Sequence, residues 1–220
     1  MRASRAPLAE VLLILCPLSP PAPLTRGCRG AGGRVVLPAG TWLSRGPINF
    51  KSDVELHLRA GATLRFSTTP EDYPLVLTRF EGTLLYNYSP LIRGYQLTNV
   101  ALTGEAGSLI DGQGQEGFSR WRKQQSKDQD KLRQMGNDTL PHYERVFGAG
   151  HYLRPVFVQF FGCKNVLVEG VTLVDSPFWV VHPTLSTNVI VRGVTVDSPY
   201  INNDGVDPDG ASHYIAIVAC

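Results

Sequence analysis

Asn165–Pro177 reads NVLVEGVTLVDSP, and Asn188–Pro199 reads NVIVRGVTVDSP. The second copy starts 23 residues after the first and matches it in residue type at most offsets. Weaker copies begin at Asn99 (NVALTGEAGSLIDGQG) and at His213 (HYIAIVAC), so the period is a little over twenty residues. Within each strong copy two short alternations flank a glycine: Val166, Val168, Val171 and Leu173, then Val189, Val191, Val194 and Val196. Alternation at period two marks strands with one buried face, and neither copy is long enough to close a core alone. Stacking one copy on the next solves this. The reading is all-β: a right-handed parallel β-helix (solenoid), one coil per repeat, with the valines and leucines as an internal ladder. A β-sandwich with chance likeness between its strands is the alternative.

Working outward, GGRVVLPAGTWLSRGPINFKSDVELHLRAGATLRF (32–66) has the same short Val/Leu runs broken by Pro-Ala-Gly and Ala-Gly-Ala turns, which predicts earlier coils. FSRWRKQQSKDQDKLRQMGND (118–138) has no such period. It is polar and rich in helix formers, and predicts a loop or short helix inserted at about 118–150, its mixed charges forming a solvated face. The β-helix domain is thus expected over 32–220, behind an irregular or leader segment at 1–31 whose prolines 20, 21 and 23 argue against a capping helix. That segment opens with Arg2 and Arg5, followed by a short apolar run and a proline-rich stretch. It has the order of a secretory signal, with Glu10 against the apolar run and no clear cleavage site, and is too short to span a bilayer. At the other end HYIAIVAC predicts an open strand edge, as though the domain continued.

The whole chain of 220 residues carries a net charge of +2, too mild for a nucleic-acid partner, and its 22 glycines and 16 prolines favour turns over helices. Four widely spaced cysteines give neither a zinc site nor a disulfide scaffold. No metal or membrane span is expected, and the chain reads as a monomer.

The chemistry concentrates in SPYINNDGVDPDG (198–210). Taken as a calcium loop with Gly210 at the sixth position it fails, since Ala216 would stand where a bidentate glutamate is needed. As a bend it explains Asp207 and Asp209, which read as turn residues bonding the backbone. Asp204 is different. The runs GGRVVLPAGTWLSRGPI, VELHLRAGATL, YNYSPLI, LTGEAGSLIDGQG, CKNVLVEGVTLVDSPFWVVHP and NNDGVDPDG, in this order from about residue 32, together resemble glycoside hydrolase family 28, the polygalacturonase family, over its N-terminal and central part. The resemblance implies a right-handed parallel β-helix and cofactor-free hydrolysis, with inversion, of the α-linked galacturonic acid chains of pectin or its oligogalacturonides. Asn202, Asn203 and Asp204 match the family's Asn-x-Asp motif, with asparagine where threonine is frequent. By that match Asp204 is a catalytic carboxylate activating water, and Asn202 is a substrate-binding residue. The family's Asp-Asp, Gly-His-Gly and Arg-Ile-Lys motifs are not in these 220 residues.

Inverting hydrolysis needs an acid and a base on opposite sides of the scissile bond. Asp204 cannot be both. In a solenoid its partner would stand one winding later, near 225–229, so the chain by itself is expected to be inactive. One 22-residue winding earlier stands His182, with Trp179 close by; both are expected to line the substrate groove. A β-helix polysaccharide lyase and a non-catalytic carbohydrate-binding solenoid are the alternatives, and a pectic substrate would make the protein secreted or periplasmic.

Overall fold

The computed structural model describes residues 15–17 and 32–220. The remaining N-terminal residues, on which the leader reading falls, lie outside the described residues. Strand β1 (Leu15–Pro17) pairs antiparallel with β3 (Gly40–Ser44). From β2 (Gly33–Leu37) onward the chain winds as a right-handed parallel β-helix with three sheets. The first sheet stacks β2, β5 (Val54–Leu58), β10 (Thr98–Gly104), β14 (Lys164–Glu169), β17 (Thr187–Arg192) and β19 (His213–Val218). The second stacks β3, β6 (Ala62–Phe66), β11 (Leu109–Asp111), β15 (Thr172–Val174) and β18 (Thr195–Asp197). The third stacks β4 (Ile48–Asn49), β9 (Ile92–Tyr95), β13 (Val158–Phe161) and β16 (Val181–Thr184).

The two sequence copies are successive coils in register: Val166 lies on Val189, Val168 on Val191 and Leu173 on Val196. Val166, Val168, Val171, Leu173, Val189, Val191 and Val194 are buried, and Val196 packs against the same core. Gly170 and Gly193, at the corners between first- and second-sheet strands, have φ of +69° and +57°. A Cβ on Gly170 would stand 2.5 Å from the Gly104 carbonyl oxygen, so that corner admits no side chain.

The asparagine that opens each copy has its own reason. Asn99, Asn165 and Asn188 all sit in the left-handed region, at φ of 57°, 58° and 56°. Their side chains form a ladder: the Asn188 amide donates to Asn165 Oδ1 (2.9 Å), Asn165 to Asn99 Oδ1 (2.8 Å), and Asn99 to Asp53 Oδ1 (2.8 Å). Asparagine tolerates that backbone and supplies both a donor and an acceptor to the column. Asn165→Ala removes two of these bonds and puts a strained side chain at positive φ, and is expected to cost about 2 kcal/mol in a denaturant melt. Asn165→Gly relieves the backbone and is expected to cost less.

Two excursions interrupt the winding, both between a second-sheet and a third-sheet strand. The first is a hairpin of β7 (Leu75–Phe80) and β8 (Thr83–Tyr88). The second is the polar stretch: a 3-10 turn at Phe118–Trp121, helix α1 (Arg122–Asn137), and β12 (Val146–Phe147), which pairs with β8. Helix α1 buries Gln125, Asp128 and Leu132 and leaves most of its charges to solvent. Phe80, Leu85, Leu132, Phe147, Leu153, Val156 and Phe178 form a second apolar cluster, in which Phe80 stacks on Phe178 at 4.8 Å. Both excursions are thereby fastened to the solenoid beside residues 178–182. Asn87 of β8 is buried and donates to the Leu153 carbonyl, so its side chain is a structural one.

Candidate active site at the acidic bend

The bend 198–204 leaves β18 and returns to the third sheet, where Val206 bridges Val181 and Asp209 bridges Thr184. Ser198 Oγ anchors it by accepting from the Ser176 amide (2.8 Å) and from Asn203 Nδ2 (2.7 Å), while the same nitrogen of Asn203 reaches the Ser176 carbonyl (2.7 Å). Up to β18 this coil runs 23 residues after its predecessor, with Thr195 on Thr172. Past the bend the offset is 206 − 181 = 25. The bend therefore takes up two extra residues, and the 22-residue winding expected from the sequence is corrected here. Trp179, not His182, is the coil neighbour of Asp204, and His182 lies against Asp207. The backbone agrees: the Val180 amide donates to the Asp204 carbonyl (2.9 Å) and Asp207 donates to the Val181 carbonyl (2.8 Å).

The Asp204 side chain is exposed. Trp179 beneath it is half-buried, stacked on Phe178 at 4.9 Å and edge-on to His182 at 5.1 Å. The ring is thus fixed in orientation and still reaches solvent, as an aromatic platform must. His182 does not reach solvent: it is wholly buried. Thr78 Oγ1 donates to Gln159 Oε1 (2.8 Å), which turns the Gln159 amide nitrogen onto His182 Nδ1 (3.0 Å). With Nδ1 accepting, the neutral ring carries its proton on Nε2, which faces Asp209 Oδ2 at 3.3 Å. Arg79 Nε, from β7, reaches the same oxygen at 2.8 Å, and the Gly210 amide donates to Asp209 Oδ1 (2.6 Å). Burial pulls the Asp209 carboxyl up, but the His182 hydrogen bond, the Gly210 amide and Arg79 together hold it below the usual carboxylate range. Asp207 goes the other way. Burial raises it, His182 opposes, and the charges of Asp204 and Asp209 raise it further.

These opposite shifts give a pH test. Asp207, raised in the folded chain, weakens folding when it ionises, so Asp207→Asn is expected to raise the melting temperature near pH 7. The gain is expected to vanish below the ordinary aspartate value, where the carboxyl is protonated in both states. A thermal melt of the two forms at several pH values checks this.

Asn202, at φ 59°, turns its side-chain oxygen toward Arg154 Nη2 (3.5 Å). Arg154 is fully buried, lies over the Phe178 ring at 4.9 Å, and donates to Gln125 Oε1 (2.7 Å) and to the carbonyls of Pro177 (3.1 Å) and Ile201 (3.3 Å). One guanidinium thus ties helix α1, the 177–178 corner and the acidic bend together. Burial, aided by Arg122 and opposed by Glu81, pushes its pKa down to about 10. Arg79, Gln159, Thr78 and Arg154 were invisible in the sequence: Thr78 and Arg79 come from the hairpin and Arg154 from the end of the second excursion, while Gln159 stands on β13 one coil before His182.

No family model matches the sequence. Among solved structures, the chain is 46% identical to a hyperthermoactive exopolygalacturonase from Thermotoga maritima, with a TM-score of 0.80 over 86% of this chain and 44% of that one. Over this span it is similar to glycoside hydrolase family 28 enzymes. A probable polygalacturonase from Vitis vinifera is 28% identical over 190 residues, covering 83% of this polygalacturonase-like chain and 33% of that protein. A family 28 exopolygalacturonase from Yersinia enterocolitica shares the fold at 23% identity and a TM-score of 0.63, over 86% of this chain and 37% of that one. The polygalacturonase-like chain therefore spans a third of the curated relative and less than half of either enzyme. Among the described residues no helix is long and apolar enough to cross a membrane.

Proposed function

We propose that the chain supplies the first coils and the water-activating carboxylate of an inverting glycoside hydrolase acting on pectic galacturonan, with Asp204 as that carboxylate. One observation carries the reading: Asp204 is solvent-exposed at the position one coil after Trp179, whose indole is fixed against Phe178 and His182, in a chain 46% identical to an exopolygalacturonase. A sugar ring stacked on Trp179 would hold its anomeric carbon beside a carboxylate free to take a proton from water. Asp209 is committed to Arg79 and His182, so its charge fixes the bend. Asn202 and His182 act in this reading as positioning residues: Asn202 through Arg154, and His182 through Asp209.

The proton for the leaving oxygen comes from a second carboxyl about 6.5–9.5 Å across the bond. At the observed offsets of 23 to 26 residues, the position stacked on Asp204 by the following coil falls past Cys220. A polymer that cannot enter a cell fits action outside the cytoplasm, in keeping with a secreted or periplasmic protein.

The test is a chimera in which this chain is continued, at Cys220, by the corresponding C-terminal coils of the Thermotoga enzyme. It is expected to release reducing ends from polygalacturonate without forming the unsaturated uronate of a lyase. A folded chimera that binds polygalacturonate and releases nothing would leave only the carbohydrate-binding solenoid.

A further inference from the structure

Between β12 and β13, residues 148–155 belong to no strand, so their backbone groups must find partners outside the sheets. Helix α1 supplies them. Gln125 and Asp128 stand three apart on one turn of that helix, and both are buried. Asp128 Oδ1 accepts from His151 Nδ1 (2.7 Å) and its Oδ2 from the Tyr152 amide (2.6 Å). Gln125 Oε1 accepts from the Arg154 amide (3.3 Å) and from Arg154 Nε (2.7 Å). The amides of Tyr152 and Arg154, two residues apart, thus end on neighbouring side chains of a helix as they would on an edge strand. A carboxylate only accepts, so His151 holds a proton on Nδ1 and is turned by Asp128. The stretch expected as a solvated face therefore has an inward polar edge, and its strongest bonds are those to the Asp128 carboxylate.

What this clasp holds is Arg154, whose Nη1 donates to the Ile201 carbonyl (3.3 Å) and whose Nη2 faces Asn202 Oδ1 (3.5 Å), two residues before Asp204. We infer that Asp128 is a positioning residue for the acidic bend: with His151 it fixes the segment that aims Arg154 at residues 201–202, and so sets where Asp204 stands. A chain of side chains carries such an effect when each link is held in one arrangement. Here Asp128, Gln125 and Arg154 are all buried, and each makes two or more hydrogen bonds. The effect on rate rests on the hydrolytic reading above, whereas the effect on the bend does not.

Hydrogen exchange of the 220-residue chain and kinetics of the chimera test this together. Asp128→Asn keeps the shape and leaves one acceptor for two donors. Exchange at 198–204 is expected to rise about tenfold, while β14 and β17 change by less than about twofold. In the chimera, kcat on polygalacturonate is expected to fall about tenfold to hundredfold with KM nearly unchanged, as when a catalytic group is displaced from a distance. His151→Asn places an amide nitrogen where Nδ1 stood and is expected to keep both quantities within about twofold of the parent. His151→Leu keeps only the packing on Phe147, to which the imidazole lies edge-on at 5.0 Å, and is expected to behave like Asp128→Asn. The His151 pair decides the matter if Asp128→Asn does not fold. Parental exchange at the bend in folded Asp128→Asn, a rise spread evenly over the solenoid, a loss carried by KM, or His151→Leu matching the parent overturns the proposal. The hydrolytic reading fails separately: an inert chimera alongside exchange raised only at the bend sinks the reaction and leaves the clasp, and an active chimera whose variants all match the parent does the reverse.

Discussion

Asp204→Asn in the chimera is expected to lower kcat on polygalacturonate roughly 10³-fold, within the 10²- to 10⁴-fold range of a positioned general base, and to leave KM nearly unchanged. The reasoning is local. The main chain of Asp204 is pinned by the Val180 amide, and Ser198 and Asn203 lock the bend behind it, so the substitution removes charge at one exposed point and moves nothing. Asparagine keeps the shape and cannot accept the proton. Asp207→Asn separates this role from mere negative charge nearby. It removes a carboxyl of the same bend that lies over His182, and is expected to retain most of the activity. Loss of equal size in both variants would mean that the field of the cluster, and not a base at Asp204, drives the rate.

Arg154→Ala is expected to be the most damaging change to the structure, costing about 3–5 kcal/mol of stability. The side chain is wholly buried, and its removal leaves a cavity under Phe178 and strips donors from Gln125 and from the Pro177 and Ile201 carbonyls. Arg154→Lys is expected to restore only part of this, because a single ammonium cannot reach acceptors on three elements at once. The folded fraction of either variant is expected to show a loosened bend: hydrogen exchange at 198–204 should rise more than exchange in β14 or β17. A denaturant melt with site-resolved exchange reads both effects. Uniformly faster exchange with no excess at the bend would reduce Arg154 to a packing residue.

The parts of the fold legible in the sequence are those where winding is uninterrupted. Between Asn165 and Asn188 one coil follows another with nothing inserted, so the valine ladder and the asparagine column both recur at a fixed interval. Between Asn99 and Asn165 the interval is 66 residues, because α1 and β12 intervene, and the period is lost although the ladder is not. The hairpin of β7 and β8 left no trace of itself, since its strands alternate like those of the coils. At the site the motif picked out Asp204, but the stacking went astray by the two residues that the bend absorbs. That error exchanged Trp179 for His182 beneath it. His182 was placed in the groove by that 22-residue step; in the folded chain it is buried, and a glutamine and an aspartate satisfy it. Arg79 and Arg154 had no signal at all, for nothing in a local stretch tells which distant bend an inserted arginine will meet.

The most direct measurement is the anomeric configuration of the first sugar released by the chimera, followed by proton NMR before mutarotation sets in. Cleavage of an α-linkage by water activated on Asp204 predicts the β-anomer first. An α-anomer as first product, or an unsaturated uronate in place of a reducing sugar, would contradict the account.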